Sequence, residues 1–433
     1  MKLYLQTLHR ALVIFILIIS IPNDILLNGQ GLNSDQKTIK GWDFAILPSF
    51  VYHTDRGIQI GALASIYYYG DSSIYPEYKH YLYLQSSITT RGGHVGYLFF
   101  DSKYLLPAGL RIIADLSTIE TRFQQFYGFN GYNALYFQNY EDPSTQQFIS
   151  RSYYNIKKIS TSILIDVHGR FFIPELNWDL GFGYFNINIS PSHSFKNKPT
   201  LFEKYVANGI IPVSQIKGGI TSYFKTGLIY DTRDNEVVPS KGIWDEAIFV
   251  IAPEFINNPY EYTQIALTHR QYFALHPKLV FAYRIAYQTK LNGKMPFYMF
   301  PYYISSFQVQ EALGGVKTIR GILNERLQGE GFALGNLEFR YIPINTIIFK
   351  KNLGIAFNLF TDMGMITKKV SIDKTVDTKG FDYQPGIEKL HQSVGAGVRF
   401  IVNHNFIVAL DYGKALNNRD GNYGFYLDLD YLY

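Results

Sequence analysis

The chain has 433 residues, a formal net charge of +5, no cysteine, and an aromatic content dominated by 36 Tyr and 33 Phe. The small, dispersed charge argues against a dedicated nucleic-acid binder, and the missing cysteines exclude disulfides, thiol chemistry and lipoprotein processing. Charged residues are only 17 % of the chain, yet beyond the N-terminus no apolar run is long enough to span a bilayer as a helix, so an α-helical membrane protein is excluded too.

At the N-terminus, Lys2, His9 and Arg10 precede the apolar run from Ala11 to Ile21, which Pro22 closes. A positive segment before a short apolar one is the pattern of an export signal. Residues 1–32 are therefore expected to be a signal peptide, cleaved between Asn28 and Asn33, with an uncleaved anchor as the alternative. Residues 33–433 show no composition break and are expected to form one domain.

From about residue 40 onward the chain alternates apolar and polar residues with period two. Strands are expected at 41–53, 57–69, 77–90, 93–104, 108–120, 151–168, 177–190, 219–231, 242–252, 262–275, 278–290, 335–345, 353–363, 392–402, 405–413 and 424–433. The pattern is clear where Leu337, Phe339 and Tyr341 alternate with Asn336, Glu338 and Arg340, and where Val394, Ala396, Val398 and Phe400 alternate with Ser393, Gly395, Gly397 and Arg399. In the last segment Phe425, Leu427, Leu429, Tyr431 and Tyr433 alternate with Tyr426, Asp428, Asp430 and Leu432. A soluble β-sandwich alternates as well. Aromatic residues on the apolar face, segments of the length a tilted membrane strand needs, and a strand that closes on an aromatic favour an all-β fold: a single closed antiparallel transmembrane β-barrel of about sixteen strands. The connections at Leu106-Pro107-Ala108, His276-Pro277 and Asn403-His404-Asn405 are short, while those at 121–150, 191–218, 291–334 and 364–391 are long. That asymmetry places both termini in the periplasm.

Four motifs carry a resemblance. The glycine-flanked run Gly314-Gly315-Val316-Lys317-Thr318-Ile319-Arg320-Gly321 lies in the long connection after the eleventh expected strand. Tyr230-Asp231-Thr232-Arg233-Asp234-Asn235 is followed by Pro239-Ser240-Lys241-Gly242. Further on stand Phe360-Thr361-Asp362-Met363-Gly364, then Ser393 to Arg399 and Leu410-Asp411-Tyr412-Gly413. In their order along the chain they resemble the BamA/TamA family of outer-membrane assembly proteins, the bacterial surface antigen family. On the residues alone, Arg320 reads as a solvated loop residue and Asp362 as a turn former. The resemblance implies instead that the loop folds into the lumen, with Arg320 and Gly321 as a plug and Asp362 as its partner on the barrel wall. Asp231, Arg233 and Asp234 read as turn formers through local hydrogen bonds. Too few residues lie before the first strand for the family's periplasmic POTRA modules, so a POTRA-less branch is expected.

The resemblance further implies a weak seam between the first and last strands that opens for a client strand. Pro48 in the first strand suits an edge, because proline donates no ladder hydrogen bond; a plain strand bend is the alternative. Tyr433 is expected in the facing last strand. The leading function is thus insertion or transport of outer-membrane proteins. The alternatives are a passive pore or structural barrel, and an outer-membrane enzyme. Histidines such as His53, His80, His94 and His168 are scattered without metal-ligand spacing, no G-x-S-x-G occurs, and no cofactor is expected. Expected partners are the outer-membrane bilayer, client outer-membrane proteins and an unidentified periplasmic protein.

Overall fold

Period-two alternation gives an extended backbone two chemically different faces, and a sheet with one greasy and one polar face closes on itself when lipid surrounds it. The computed structural model describes residues 39–433 except 54–56, 76, 193–197, 257, 312, 349–350, 374–377, 403–405 and 430. The expected signal peptide, the turns at 54–56 and 403–405, and Asp430 lie outside the described residues.

The strands, in order, are β1 (Trp42–His53), β2 (Gly57–Tyr68), β3 (His80–Thr89), β4 (Gly93–Ser102), β5 (Arg111–Gln125), β6 (Asn155–Arg170), β7 (Leu176–Pro191), β8 (Gly218–Asp231) and β9 (Gly242–Ala252). They continue as β10 (Tyr262–His276), β11 (Leu279–Gly293), the short β12 (Tyr302–Ile304) and β13 (Val309–Glu311), then β14 (Gly331–Ile348), β15 (Lys351–Lys368), β16 (His391–Val402), β17 (Phe406–Ala415) and β18 (Tyr423–Leu429). All but β12 and β13 form one 16-stranded antiparallel sheet in chain order, with β11 pairing β14. The edges β1 and β18 lie in contact, which makes the sheet a barrel. Its outer face carries residues such as Leu359 (63 % exposed) and Phe425 (60 %), while Asn336, Glu338 and Arg340 point into the lumen and are buried.

Two differences from the expected strands have physical causes. Strands β14 and β15 each run 18 residues, longer than a membrane-crossing strand needs, and pair with each other beyond Tyr341, where the pairing of β14 with β11 ends. The loop expected at 291–334 contains the β12–β13 hairpin, whose three-residue strands are too short to register as alternation.

The long loops fold together over one end of the barrel. Phe126 and Phe129 from the β5–β6 connection, Phe202 and Tyr205 from a short helix α1 (Leu201–Ala207), Phe297 and Phe300 from the β11–β14 connection, and Phe381 from the β15–β16 connection share one buried cluster. Helix α1 starts at a capping box, Thr200 with Glu203, which satisfies backbone donors at its first turn. Polar contacts tie the loops further. Tyr132 stacks on His391 at 3.7 Å and donates to Asp420 at 2.5 Å, and Arg326 donates to the carbonyls of Gly131, Ala134 and Arg419 at 2.9–3.0 Å.

Glu141, in the β5–β6 loop, accepts from Tyr154 N at 3.3 Å and Asn155 Nδ2 at 3.0 Å. Burial pushes its carboxyl from 4.5 up to about 7, against the pull of those hydrogen bonds and of Arg91. Between those two values an opened loop releases a proton that the closed loop keeps. Loop closure is therefore complete below the window and weakens as pH rises through it. Hydrogen exchange at residues 135–154, corrected for intrinsic rates, is expected to quicken from about pH 5 to about pH 8, and Glu141→Gln is expected to abolish the change.

Candidate functional site in the barrel lumen

The β11–β14 connection turns inward rather than outward, and its glycines explain how. Gly314 (φ +109°) and Gly321 (φ +91°) hold conformations that side chains resist. A Cβ on Gly321 would sit 2.6 Å from backbone atoms of Gly413 and Lys414, so the loop backbone lies directly on that of β17. Gly321 N donates to the Tyr426 hydroxyl on β18 at 2.9 Å.

This seating delivers Arg320 to the wall with no exposed surface. It donates from Nε to Asp362 Oδ2 at 2.8 Å, from Nη2 to Asp362 Oδ1 at 3.0 Å, and from its backbone N to Asp362 Oδ2 at 3.0 Å. Nη2 also lies 2.8 Å from Glu338 Oε1, and Nη1 lies 3.3 Å from Asp411 Oδ2. The guanidinium covers the Phe360 ring at 3.5 Å. Asn336 donates to Asp362, Arg340 to Glu338, and Arg399 to both oxygens of Asp411. Three carboxylates thus meet three guanidiniums from β14, β15, β16, β17 and the loop. A charge inside a dry wall is tolerated only when paired and hydrogen-bonded in this way.

Arg320, Gly321 and Asp362 are therefore brought together. Glu338, Asp411, Arg340 and Arg399 join them, although sequence reasoning assigned them no role. Their signal was a polar residue at an inward phase of each strand, and Arg399 and Asp411 also stood within motifs that carry the resemblance.

The same loop is held across the lumen as well. Ser305 O accepts from Lys225 Nζ at 2.5 Å and Ser306 O from His168 Nε2 at 3.1 Å, while Ser306 N and Oγ donate to Glu246 Oε2 at 3.2 and 2.7 Å. Next to them, the Phe307 ring meets Trp244, His168 and the Arg111 guanidinium. From the opposite end of the barrel the turn at 232–241 also reaches inward. Arg233 grips Asp231 through Nε and Nη2, Asp234 accepts from Ser240 N and Lys241 N, and Asn235 accepts from Val237 N and Val238 N. Val237 and Val238 pack on Ala356, Ile401 and Ile407. Glu236 meets Lys103 at 2.7 Å and Arg111 at 3.3 Å. Burial pushes the Glu236 carboxyl up, but Arg111 and Lys103 outweigh it and hold it well below the ordinary carboxylate range.

The seam residues lie apart from one another. Pro48 is exposed in the middle of β1. Tyr433, expected in the last strand, does not face β1: β18 ends at Leu429, and residues 431–433 enter the lumen. There Tyr433 donates to Ala282 O (3.1 Å), Arg340 Nη2 donates to Tyr433 O (2.8 Å), and Leu432 packs against Tyr272 and Val280. Tyr431, also expected to face lipid, sits under Arg340 at 4.2 Å. The cause is the arginine-lined wall, which offers these rings cation–π contacts that lipid does not. Among the described residues no ladder pairs β1 with β18.

Removing one member of the Arg320 network strands the others. Arg320→Ala and Asp362→Ala are each expected to cost about 3–5 kcal/mol, and the double variant little more than either alone. The temperature at which the folded band disappears on a semi-native gel reads this out.

No curated protein matches the chain in sequence. Among solved structures, BamA from Haemophilus ducreyi lacking POTRA domains 1–3 is similar, with a TM-score of 0.51 and 13 % identity over 89 % of this chain and 70 % of that one. CdiB from Escherichia coli is similar with a TM-score of 0.56 and 8 % identity, over 90 % of this chain and 63 % of that one. At such identities the likeness shows the barrel fold alone. The profile of the Omp85 superfamily domain matches residues 121–429. That span holds the inward loop, its carboxylate wall and most of the strands, and the chain belongs to the Omp85 superfamily of outer-membrane β-barrels.

Proposed function

We propose that this barrel inserts or exports proteins at the outer membrane by opening between β1 and β18. The observation that carries the reading is the seam: β18 has seven residues against twelve in β1, and residues 431–433 are drawn into the lumen instead of extending the edge. An edge with unpaired backbone groups is a template for an incoming strand. Arg340 links the two features, since it bonds Glu338 of the Arg320 network and also holds Tyr431 and Tyr433. In this reading Arg320, Gly321 and Asp362 latch the loop while the seam is shut, and Pro48 weakens the β1 edge. The short turns and both chain ends face the periplasm, and the long loops face outward. Client outer-membrane proteins are the substrates, and a periplasmic protein delivers them.

A passive pore fits less well. The inward loop is held on two walls and the 232–241 turn reaches in from the other end, so both obstruct the lumen. Purified protein in planar bilayers is expected to give only small, intermittent currents; large steady ones would favour the pore. For the seam itself, cysteines introduced in β1 and β18 and oxidised to a disulfide are expected to abolish complementation of a depleted host, with recovery on reduction. Full activity of the locked protein overturns the reading.

A further inference from the structure

Alternation places Asp245 on the outer face of β9, between the inward Trp244 and Glu246, and it likewise turns His269 and Gln271 of β10 and Tyr283 of β11 outward. Asp245 stands opposite His269 in the ladder, and Gln271 stands opposite Tyr283. The four side chains form one line of contacts. His269 Nδ1 lies 2.5 Å from Asp245 Oδ1, its Nε2 lies 3.0 Å from the Tyr283 hydroxyl, and that hydroxyl donates to Gln271 Oε1 at 2.6 Å. Below the line, toward the short-turn end, Phe273 and Phe281 stack at 6.1 Å. Above it the outer face is apolar again. A polar island on the lipid face is costly, and ionisable groups at membrane depth mark function by default.

The island also opens onto a groove. A depression of about 370 Å³ runs from Asp245 and His269 toward the middle of the barrel between Leu228, Ala247, Leu267, Ile285 and Tyr287. Ala247 is the small residue that makes the depression, set between larger neighbours on β8 and β10.

We infer that this groove binds one phospholipid with a primary-ammonium headgroup: the chain lies over Ala247 and the head meets the Asp245–Gln271 line. Both imidazole nitrogens are already hydrogen-bonded within the line. What the line leaves open is Asp245 Oδ2, an acceptor, and Gln271 Nε2, a donor, neither with a partner among the described residues. As diagonal neighbours across the β9–β10 pair, the two residues stand about 7–8 Å apart. An acceptor for an ammonium beside a donor for a phosphate oxygen is complementary to a zwitterionic head. Asp245 is the fourth residue of β9 and lies nearer the short-turn end of that strand than its long-loop end. The site is remote from the β1–β18 seam, so it stands or falls independently of the proposed function.

Native mass spectrometry of the full protein tests it, after equilibration in mixed micelles of phosphatidylethanolamine and phosphatidylcholine in equal amounts. Both heads carry a positive nitrogen, but only the first has N–H groups to donate to Asp245. The protein is expected to retain phosphatidylethanolamine about tenfold over phosphatidylcholine, the size of one charge-assisted hydrogen bond. Asp245→Asn is expected to remove that preference while leaving some lipid bound, and Ala247→Phe, which fills the groove, to remove bound lipid of both kinds. Equal retention of the two lipids by the unaltered protein overturns the inference, and that comparison needs no variant to fold. Retention unchanged by Ala247→Phe overturns it as well, as does a lipid-free dimer that Asp245→Asn disperses, which would assign the face to a second copy of the chain.

Discussion

The constraint on which the rest of the structure depends is the cost of placing a guanidinium where water is scarce. Arg320 sits in the wall with no accessible surface, and its surroundings are organised around that fact. Asp362 takes two side-chain hydrogen bonds and a backbone one from it, Glu338 and Asp411 add charge, and Arg340 and Arg399 restore the balance. An arrangement of this kind adds little net stability over a well-packed apolar one. What it does confer is a single permitted position for the loop, because any displacement leaves several charges unmatched at once.

Around that fixed point the lumen is crossed from both ends. One long loop bridges the β6–β9 wall and the β14–β17 wall, and the 232–241 turn reaches in from the opposite end. Arg111 and Trp244 are shared between them: Arg111 meets both Phe307 and Glu236, and Trp244 meets both Phe307 and Arg233. The two inward segments thus form one column through the barrel rather than two separate plugs. The strand edge beside the seam is tied into the same column through Arg340 and the Tyr431 and Tyr433 rings.

Most of the barrel was legible in the sequence, because a period-two pattern with aromatic apolar positions leaves few other folds open. Strand β9 falls on its expected span, and the ends of most others differ by a few residues. What was missed had no periodic signal. The β12–β13 hairpin and helix α1 are too short, and the ribbon of β14 and β15 continues past the membrane-length repeat. Tyr431 and Tyr433 continued the alternation in letters while the chain itself turned inward; a tyrosine suits lipid headgroups and an arginine-lined lumen equally, so the pattern could not separate them. Arg320 and Asp362 emerged only through the order of the motifs. Glu338 and Asp411 were visible as inward polar positions, but convergence on one guanidinium is a property of the closed sheet. Asp245 and His269 broke the outward apolar phase of β9 and β10, a signal that was present and unread.

The backbone contact between Gly321 and Gly413 has a consequence for how the protein reaches this state. The loop that carries Arg320 precedes its acceptors, by 42 positions for Asp362 and 91 for Asp411. During synthesis the segment at Arg320 and Gly321 therefore emerges before the carboxylates and the β17 backbone on which it will rest, although the walls that hold Ser305 and Ser306 precede it. Contacts so distant along the chain form late, and the seat for Gly321 exists only once β17 has joined the sheet. The Arg320–Gly321 segment must wait unseated while the later strands are added, and its docking is a closing event of maturation rather than a nucleus for it.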